Sequence, residues 1–590
     1  MITALAVRSR IPGFASIRLG WLGWSSLITA MLVLAPLVAV VWNVFLPSET
    51  WPHLAATVLP SYIWNTLLLV ILVAFGAVFC GVVPAWLVTA YSFRGRRTLE
   101  WGLVLPLAMP AYVMAYAYTD WLQAAGPVQT ALREISGLQV REYWFPEIRS
   151  LPGAATMLSF AFYPYVYLLA RAAFLDQPAS AIEAARLAGY GAWKIFWRVA
   201  LPLARPGIAA GAALALMETL ADFGTVSYFA VNTFTTGIYR AWLSLGDPVA
   251  AGQLATFLLV FVAAILSLER LQRGRARYGG KRTPMVSQRL RRGRALAAAA
   301  VCATPVFFGF LLPAVILLGL AAGEHDEQVG ARIYSLAANT FVLAAVAAAV
   351  AVLVALLLTY AARTIKTPLV QAANRFAVLG YALPGAVLAV GILFPLGKID
   401  NAVAAWMDAV FGVKTGLLLT GSMTALIYAY LVRFLAVAFQ TVEAGLTRVT
   451  PSMDDAARSL GLSPARTLAR VHIPVISGSL ATAALLVFVD VMKELPATFA
   501  MRPFNFDTLA VEAYNLAKDE RIAEAALPSL LMVGVALLPV ILLSRQIARS
   551  SPATKPARSP AATELRRSQR RRSLASPEDS PTPVSIDESA

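Results

Sequence analysis

Four acidic side chains set in apolar sequence have the most chemistry to offer. Glu218 and Asp222 stand four apart in LALMETLADFG, and Asp490 and Glu494 stand four apart in LVFVDVMKELP. Each member of the first pair precedes a member of the second by 272 positions, Glu218 falling on Asp490 and Asp222 on Glu494. A carboxylate at membrane depth is costly unless it faces a bundle interior, water or a counter-ion. Residues four apart share one face of a helix, so each pair reads as an acidic stripe on one apolar helix. Two such stripes, related by a pseudo-two-fold axis, could surround a cationic path or gate. The structural alternative pairs them with Lys493, Arg171 or Arg433.

The same offset governs a polar segment ahead of each stripe. EAARLAGYGAWKIFWRVALP runs from Glu183 to Pro202, and DDAARSLGLSPARTLARVHIP runs from Asp454 to Pro474. Ala184 falls on Ala456, Ala185 on Ala457, Arg186 on Arg458, Gly189 on Gly461, and Arg198 on Arg470, without a gap. A fixed period with matched chemistry means internal duplication. Each copy is expected to open on a capping box, with Ser180 and Ser452 as N-caps and Glu183 and Asp455 three residues on. The paired alanines admit a close-packed partner, and Gly189 and Gly461 suit a left-handed helix end. The expectation is a short docking knob followed by a turn.

These elements sit in a chain of 590 residues that is 59% hydrophobic, with mean hydropathy +0.68. Apolar runs able to cross ~30 Å of hydrocarbon fall near 21–42, 61–91, 101–123, 153–175, 206–229 and 249–268, then near 296–320, 335–361, 376–396, 416–439, 476–499 and 525–544. The fold class is therefore all-α and polytopic, with two parallel six-helix domains in one chain. The expected organisation is an N-terminus (1–20), a first domain (21–268, loop 180–202), a basic linker (269–295), a second domain (296–545, loop 452–474) and a disordered tail (549–590). The first apolar run is too long for a signal-peptide core and is expected to remain as a span.

Net charge is +17, and the basic residues gather in alternate short loops. Arg94, Arg96 and Arg97 follow the second run, Lys194, Arg198 and Arg205 follow the fourth, and the linker carries ten Lys or Arg against Glu269. The loop near Glu324, Asp326 and Glu327 is acidic. This bias places both termini and both knobs in the cytoplasm. It favours lipid headgroups over nucleic acid as the anionic partner, since no nucleic-acid module is present. Cys80 and Cys302 lie inside apolar runs and read as packing residues. His53, His325 and His472 are too scattered for a metal cluster, and no nucleophile-and-base arrangement suggests an enzyme.

The repeated E-A-A, glycine, aliphatic-x-Pro pattern resembles the EAA loop of ATP-binding-cassette importer permeases of the binding-protein-dependent, MetI-like family, and the resemblance covers both halves. It implies that Glu183, Ala184, Ala185 and Gly189, with Asp455, Ala456, Ala457 and Gly461, couple the chain to two copies of a separate cytoplasmic ATPase. In that family the acid heading the loop pairs with a basic residue of the ATPase, and Asp455 stands where glutamate is usual. ATP and Mg belong to those subunits, in keeping with the absence of a G-x-x-x-x-G-K-[ST] loop. This chain is thus expected to bind no cofactor, to perform no catalysis and to work with a substrate-binding protein outside a bacterial inner membrane. LADFGTVSYFAVNTFTTGIYRAW and DVMKELPATFAMRPFNFDTLAVEAY look like segments of fused ferric-iron permeases. Tyr228, Arg240 and Asp247 are candidates for docking that binding protein or for interfacial anchoring. Thiamine, a polyamine or an organophosphonate are alternative substrates, and a proton-coupled secondary transporter is the rival mechanism.

Overall fold

The structure is a computed structural model that describes residues 20–140, 142–273, 288–323 and 327–550. It separates into two units, Met1–Ser544 and Arg545–Ala590, and of the second only the end of the last helix is described. The N-terminus up to residue 19, linker residues 274–287, Glu324, His325, Asp326 and the tail from 551 lie outside the described residues.

Helices dominate because the long apolar runs must satisfy their own backbone groups in hydrocarbon. The first half contains α1 (Trp21–Trp42), α2 (Leu59–Ala90), α3 (Ala111–Leu122), α4 (Leu151–Leu175), α5 (Ala179–Leu187), α6 (Leu201–Ala221), α7 (Gly224–Tyr228) and α8 (Pro248–Arg273). The second contains α9 (Arg292–Val306), α10 (Glu327–Thr364), α11 (Gly385–Phe411), α12 (Met423–Leu446), α13 (Pro451–Ser459), α14 (Ile473–Met492), α15 (Pro496–Met501) and α16 (Ile522–Ser550). Starts of α4, α5, α6 and α7 each precede those of α12, α13, α14 and α15 by 272 residues. A π-helical turn recurs at the same offset, Phe196–Ala200 and Leu468–His472, as each chain re-enters an apolar helix. The duplication read in the sequence is therefore a duplication of fold.

Among the described residues, 11 helices are long and apolar enough to cross a membrane, or 12 when a bent pair counts as one span. That pair, Arg96–Ala108 with Ala111–Ser136, bends by 93° and replaces the straight third span expected near 101–123. Pro106 and Pro110 flank the bend, where a missing N–H and a fixed φ interrupt a helix. The fifth span of each half is corrected too. α6 stops at Ala221 and α14 at Met492, so Asp222 and Glu494 lie beyond the helix ends rather than on one face with Glu218 and Asp490.

α2, α4 and α6 pack together in the first half, as α10, α12 and α14 do in the second. The second-half core centres on residues such as Leu343, Leu388, Tyr430, Leu435 and Val487, and Val33 of α1 is buried among them. Helix α1 packs against α10 and α11, and α9 packs in return against α2. Each half has thus given its first helix to the other. Among the described residues the only strands are Tyr91–Ser92 and Gln288–Arg289, a short parallel pair tying the linker to the end of α2.

The exchanged α1 needs a backbone-close crossing at Gly391, where an added Cβ would lie 2.5 Å from the Pro36 carbonyl oxygen. Gly391→Val should therefore cost about 1–3 kcal/mol through overpacking. The expected readout is a lower unfolding midpoint in detergent and a smaller folded fraction on size exclusion; an unchanged midpoint would contradict the crossing.

Candidate functional site

Where α6 and α14 stop, the chain must supply partners for the N–H groups of α7 and α15, which start immediately afterwards. Asp222 does so in the first half, its Oδ1 accepting from the Thr225 and Val226 amides at 3.0 and 3.1 Å. Glu494 does the same in the second, accepting from the Ala497 and Thr498 amides, both at 2.9 Å, and from the Thr498 hydroxyl at 2.7 Å. Both carboxylates are caps at equivalent positions. Phe223, in the first break, and Phe499, inside α15 after the second, approach to 5.8 Å between ring centroids, so the segments following the two breaks meet between the halves.

A cavity of about 100 Å³ opens at that meeting point, and Glu218, Asp222, Asp490 and Glu494 all line it. The four acids are thus brought together. Lys493 and Arg433 share the wall, and their pairing divides the acids into two kinds. Glu494 is held by Arg433 at 3.0 Å with both side chains buried, and Asp490 by Lys493 at 3.0 Å. Glu218 accepts from the Tyr381 hydroxyl at 3.0 Å. Arg171, a candidate counter-ion from sequence, is not one. It pairs with buried Glu100, away from this cavity, because α4 carries it beside the short helix Arg96–Gly102. The sequence reading also passed over Tyr112, Tyr165 and Tyr381, which complete the wall. Their signal was a polar tip within an apolar run, indistinguishable there from an ordinary core or interfacial tyrosine.

The repeated loops form α5 and α13 as matched knobs. Their starts differ from the expected capping boxes: Pro178 and Thr450 are the N-cap residues, and Ser180 and Ser452 fall inside the helices. In α13 Pro451 takes the first helical position, which its fixed φ and absent N–H favour. The ends are as expected. Gly189 and Gly461 have φ of 79° and 74°, and in each the amide one residue later reaches back, Tyr190 to the Ala185 carbonyl and Leu462 to the Ala457 carbonyl, both at 3.0 Å. That is a Schellman ending, which a glycine without Cβ adopts readily. The alanine pairs split by function of place: Ala185 and Ala457 are buried, whereas Ala184 and Ala456 face outward. Glu183 is exposed, and Asp455 is engaged by Arg458 of its own helix at 2.6 Å.

Tyr228, Arg240 and Asp247 do not form one group. Tyr228 lies under the Arg149 guanidinium at 4.9 Å, and Arg149 also pairs with Glu520 at 3.5 Å. Arg240 donates to Asn232 at 3.3 Å from an exposed position. Asp247 accepts from Ser48 and Thr50, each at 2.6 Å, and from the Ala250 amide at the head of α8. Burial pushes the Asp247 carboxyl up, but these hydrogen bonds outweigh it and hold its pKa below the usual carboxylate value.

A chain of this architecture, with a polar cavity between duplicated halves and a pair of exposed knobs, is a transport permease. Residues 11–274 match the family described as "Binding-protein-dependent transport system inner membrane component", and the second half repeats that unit. Relatives agree. The Fe(3+)-transport system permease protein FbpB 2 of Haemophilus influenzae is 25% identical over 488 residues, covering 82% of this chain and 89% of its own. The sulfate transport system permease protein CysT of Escherichia coli is 27% identical and covers 47% of this chain and 97% of its own. The molybdenum transport system permease protein ModB of the same species is 29% identical, with 33% and 87% covered. Residues 11–274 thus carry the domain of this binding-protein-dependent family, and the protein is a multi-pass permease, the transport subunit of an importer.

The pairing pattern separates acids held by a cation from Glu218, which is held by a neutral hydroxyl. Glu494→Gln leaves Arg433 buried without its anion and should cost about 3–5 kcal/mol, seen as lost folded protein. Glu218→Gln, whose partner is a neutral tyrosine, should fold normally and show its effect in transport. Equal losses of folded protein from both variants would contradict this division.

Proposed function

We propose that this chain is the permease of an ATP-driven importer that moves ferric iron inward from a substrate-binding protein outside the membrane. The carrying observation is the cavity, where four carboxylates face two cationic side chains on the line between the halves. Sulfate is an anion, and such a wall opposes it; a cation is attracted. The similarity to a protein named for Fe(3+) transport spans most of this chain, whereas those named for sulfate and molybdenum span half or less. In this reading both termini and both knobs face the cytoplasm, where Lys and Arg concentrate, and the domains run 21–268 and 296–545. Two copies of an ATPase take α5 and α13 into surface grooves. Their ATP-driven closure swings the halves about the exchanged helices, so that the cavity opens first outward and then inward. Tyr228, Arg240 and Asp247 lie in the outer segments offered to the binding protein.

Recovery of the complex from its own membranes, followed by reconstitution in sealed vesicles, tests this. ATP without an ion gradient should drive uptake of ⁵⁵Fe³⁺ presented on the co-purified binding protein; uptake driven by a proton gradient without ATP would overturn the proposal. The knobs add a finer expectation. Asp455 is already occupied by Arg458, so Glu183→Ala should weaken ATPase association more than Asp455→Ala, by up to about fivefold at low salt. Equal losses in co-purification across a salt series would show that the intrahelical pair does not compete with the ATPase.

A further inference from the structure

The two knobs have the same backbone but different seats. Asp454, at the root of α13, accepts from Arg363 at 2.6 Å and lies 2.6 Å from the His472 Nε2. Arg363, at the end of α10, also donates to the Val449 carbonyl at 3.0 Å and the Leu446 carbonyl at 3.3 Å, where α12 runs out. Tyr360, one turn earlier, donates to the Pro464 carbonyl at 2.8 Å and sets its ring against His472. The charged and titratable groups facing His472 are thus Asp454, Arg363 and Tyr360. The His472 side chain is 1% exposed, and one carboxylate joins α10, α13 and the π-turn leading into α14. Burial pushes the Asp454 carboxyl up, but hydrogen bonds from Arg363 and His472 outweigh it and hold its pKa below the usual value. The carboxylate therefore stays ionised to lower pH than an ordinary aspartate would, and its contribution to the seat is lost only as pH falls through that depressed value.

At the offset of 272, the first half replaces all three members. Ile182 stands for Asp454, Tyr91 for Arg363 and Ala200 for His472. Ile182 is buried and, with Trp86, Tyr91, Arg186, Ile195 and Gln288, lines a partly open pocket of about 90 Å³ under α5. One knob is fastened by charge-assisted hydrogen bonds, roughly twice as strong as neutral ones. The other has none of these three partners and sits beside a pocket that opens to solvent, so its seat is the looser of the two.

We propose that Asp454, Arg363 and His472 are positioning residues that clamp the second coupling knob to α10 and the root of α14, making the second half the stiffer transmission arm and leaving the first compliant. The transmission part rests on the coupling role of the knobs given above; the clamp itself does not.

Amide hydrogen exchange on the full chain in lipid nanodiscs tests the clamp without any partner. Segment 451–459 should exchange more slowly than 179–187. Asp454→Asn should speed exchange across 451–459 by about tenfold or more, the loss of a charged hydrogen bond, and leave 179–187 unchanged. Importing the first half's own residues, Arg363→Tyr with Asp454→Ile and His472→Ala, should keep the chain folded and bring 451–459 to the rate of 179–187. Equal exchange of the two segments in the unaltered chain, an unresponsive Asp454→Asn, or a triple variant that fails to fold would each overturn the clamp. With the ATPases bound, Asp454→Asn should raise the ATP hydrolysed per substrate moved; an unchanged ratio beside faster exchange would overturn the transmission role. Failure to bind any ATPase would overturn the coupling reading, and the transmission role with it, while the exchange difference would still stand.

Discussion

A helix that stops inside an apolar bundle leaves N–H and C=O groups that water cannot satisfy, and each must find a partner within the chain. This requirement shapes the centre of the molecule. α6 and α14 both end at the interface of the halves, and the helices that follow begin with their amides turned to Asp222 and Glu494. Short polar side chains would serve one amide each. A carboxylate, with two oxygens, serves several donors and brings a negative charge with it. The cavity thus owes part of its acidity to the backbone rather than to any demand of a substrate. Glu218 and Asp490, one turn before the breaks, are the acids free of that duty.

Duplication supplied two equal frames, and point differences have since made them unequal. Arg433, which neutralises Glu494, has Ala161 at the matching position of the first half, so Asp222 has no equivalent guanidinium. Conversely the Glu100–Arg171 pair of the first half is matched by Ala372 and Glu443. Backbone features such as the π-turns and the left-handed glycines survive in both copies. The two halves thus differ in where their charges sit and agree in these backbone features.

The exchange of α1 and α9 joins the halves through packed helices as well as through the cavity rim. In a bundle, where lipid and core are both apolar, such contacts rely on shape and close approach more than on burial. The Gly391–Pro36 crossing is of that kind. It ties the first helix of one half to the core of the other through backbone contact that any larger residue at Gly391 would push apart.

The sequence by itself determined the all-α class, the twofold repeat, the two knobs and the acids worth attention, because period, hydropathy and glycine position are local properties of the chain. It also carried the left-handed ends at Gly189 and Gly461, since few residues other than glycine tolerate that φ. Only the tertiary structure decided which acid caps, which pairs and which lines the cavity. Arg171 and Arg433 look alike in sequence, each inside the fourth span of its half, yet one meets Glu100 and the other Glu494 because of what packs beside it. Asp454 stands just ahead of the motif acid with nothing local to give it a task; its role depends on Arg363, 91 residues away, and on His472, 18 away. Partner choice for a buried charge is a long-range matter, set by helix crossings that no local pattern encodes.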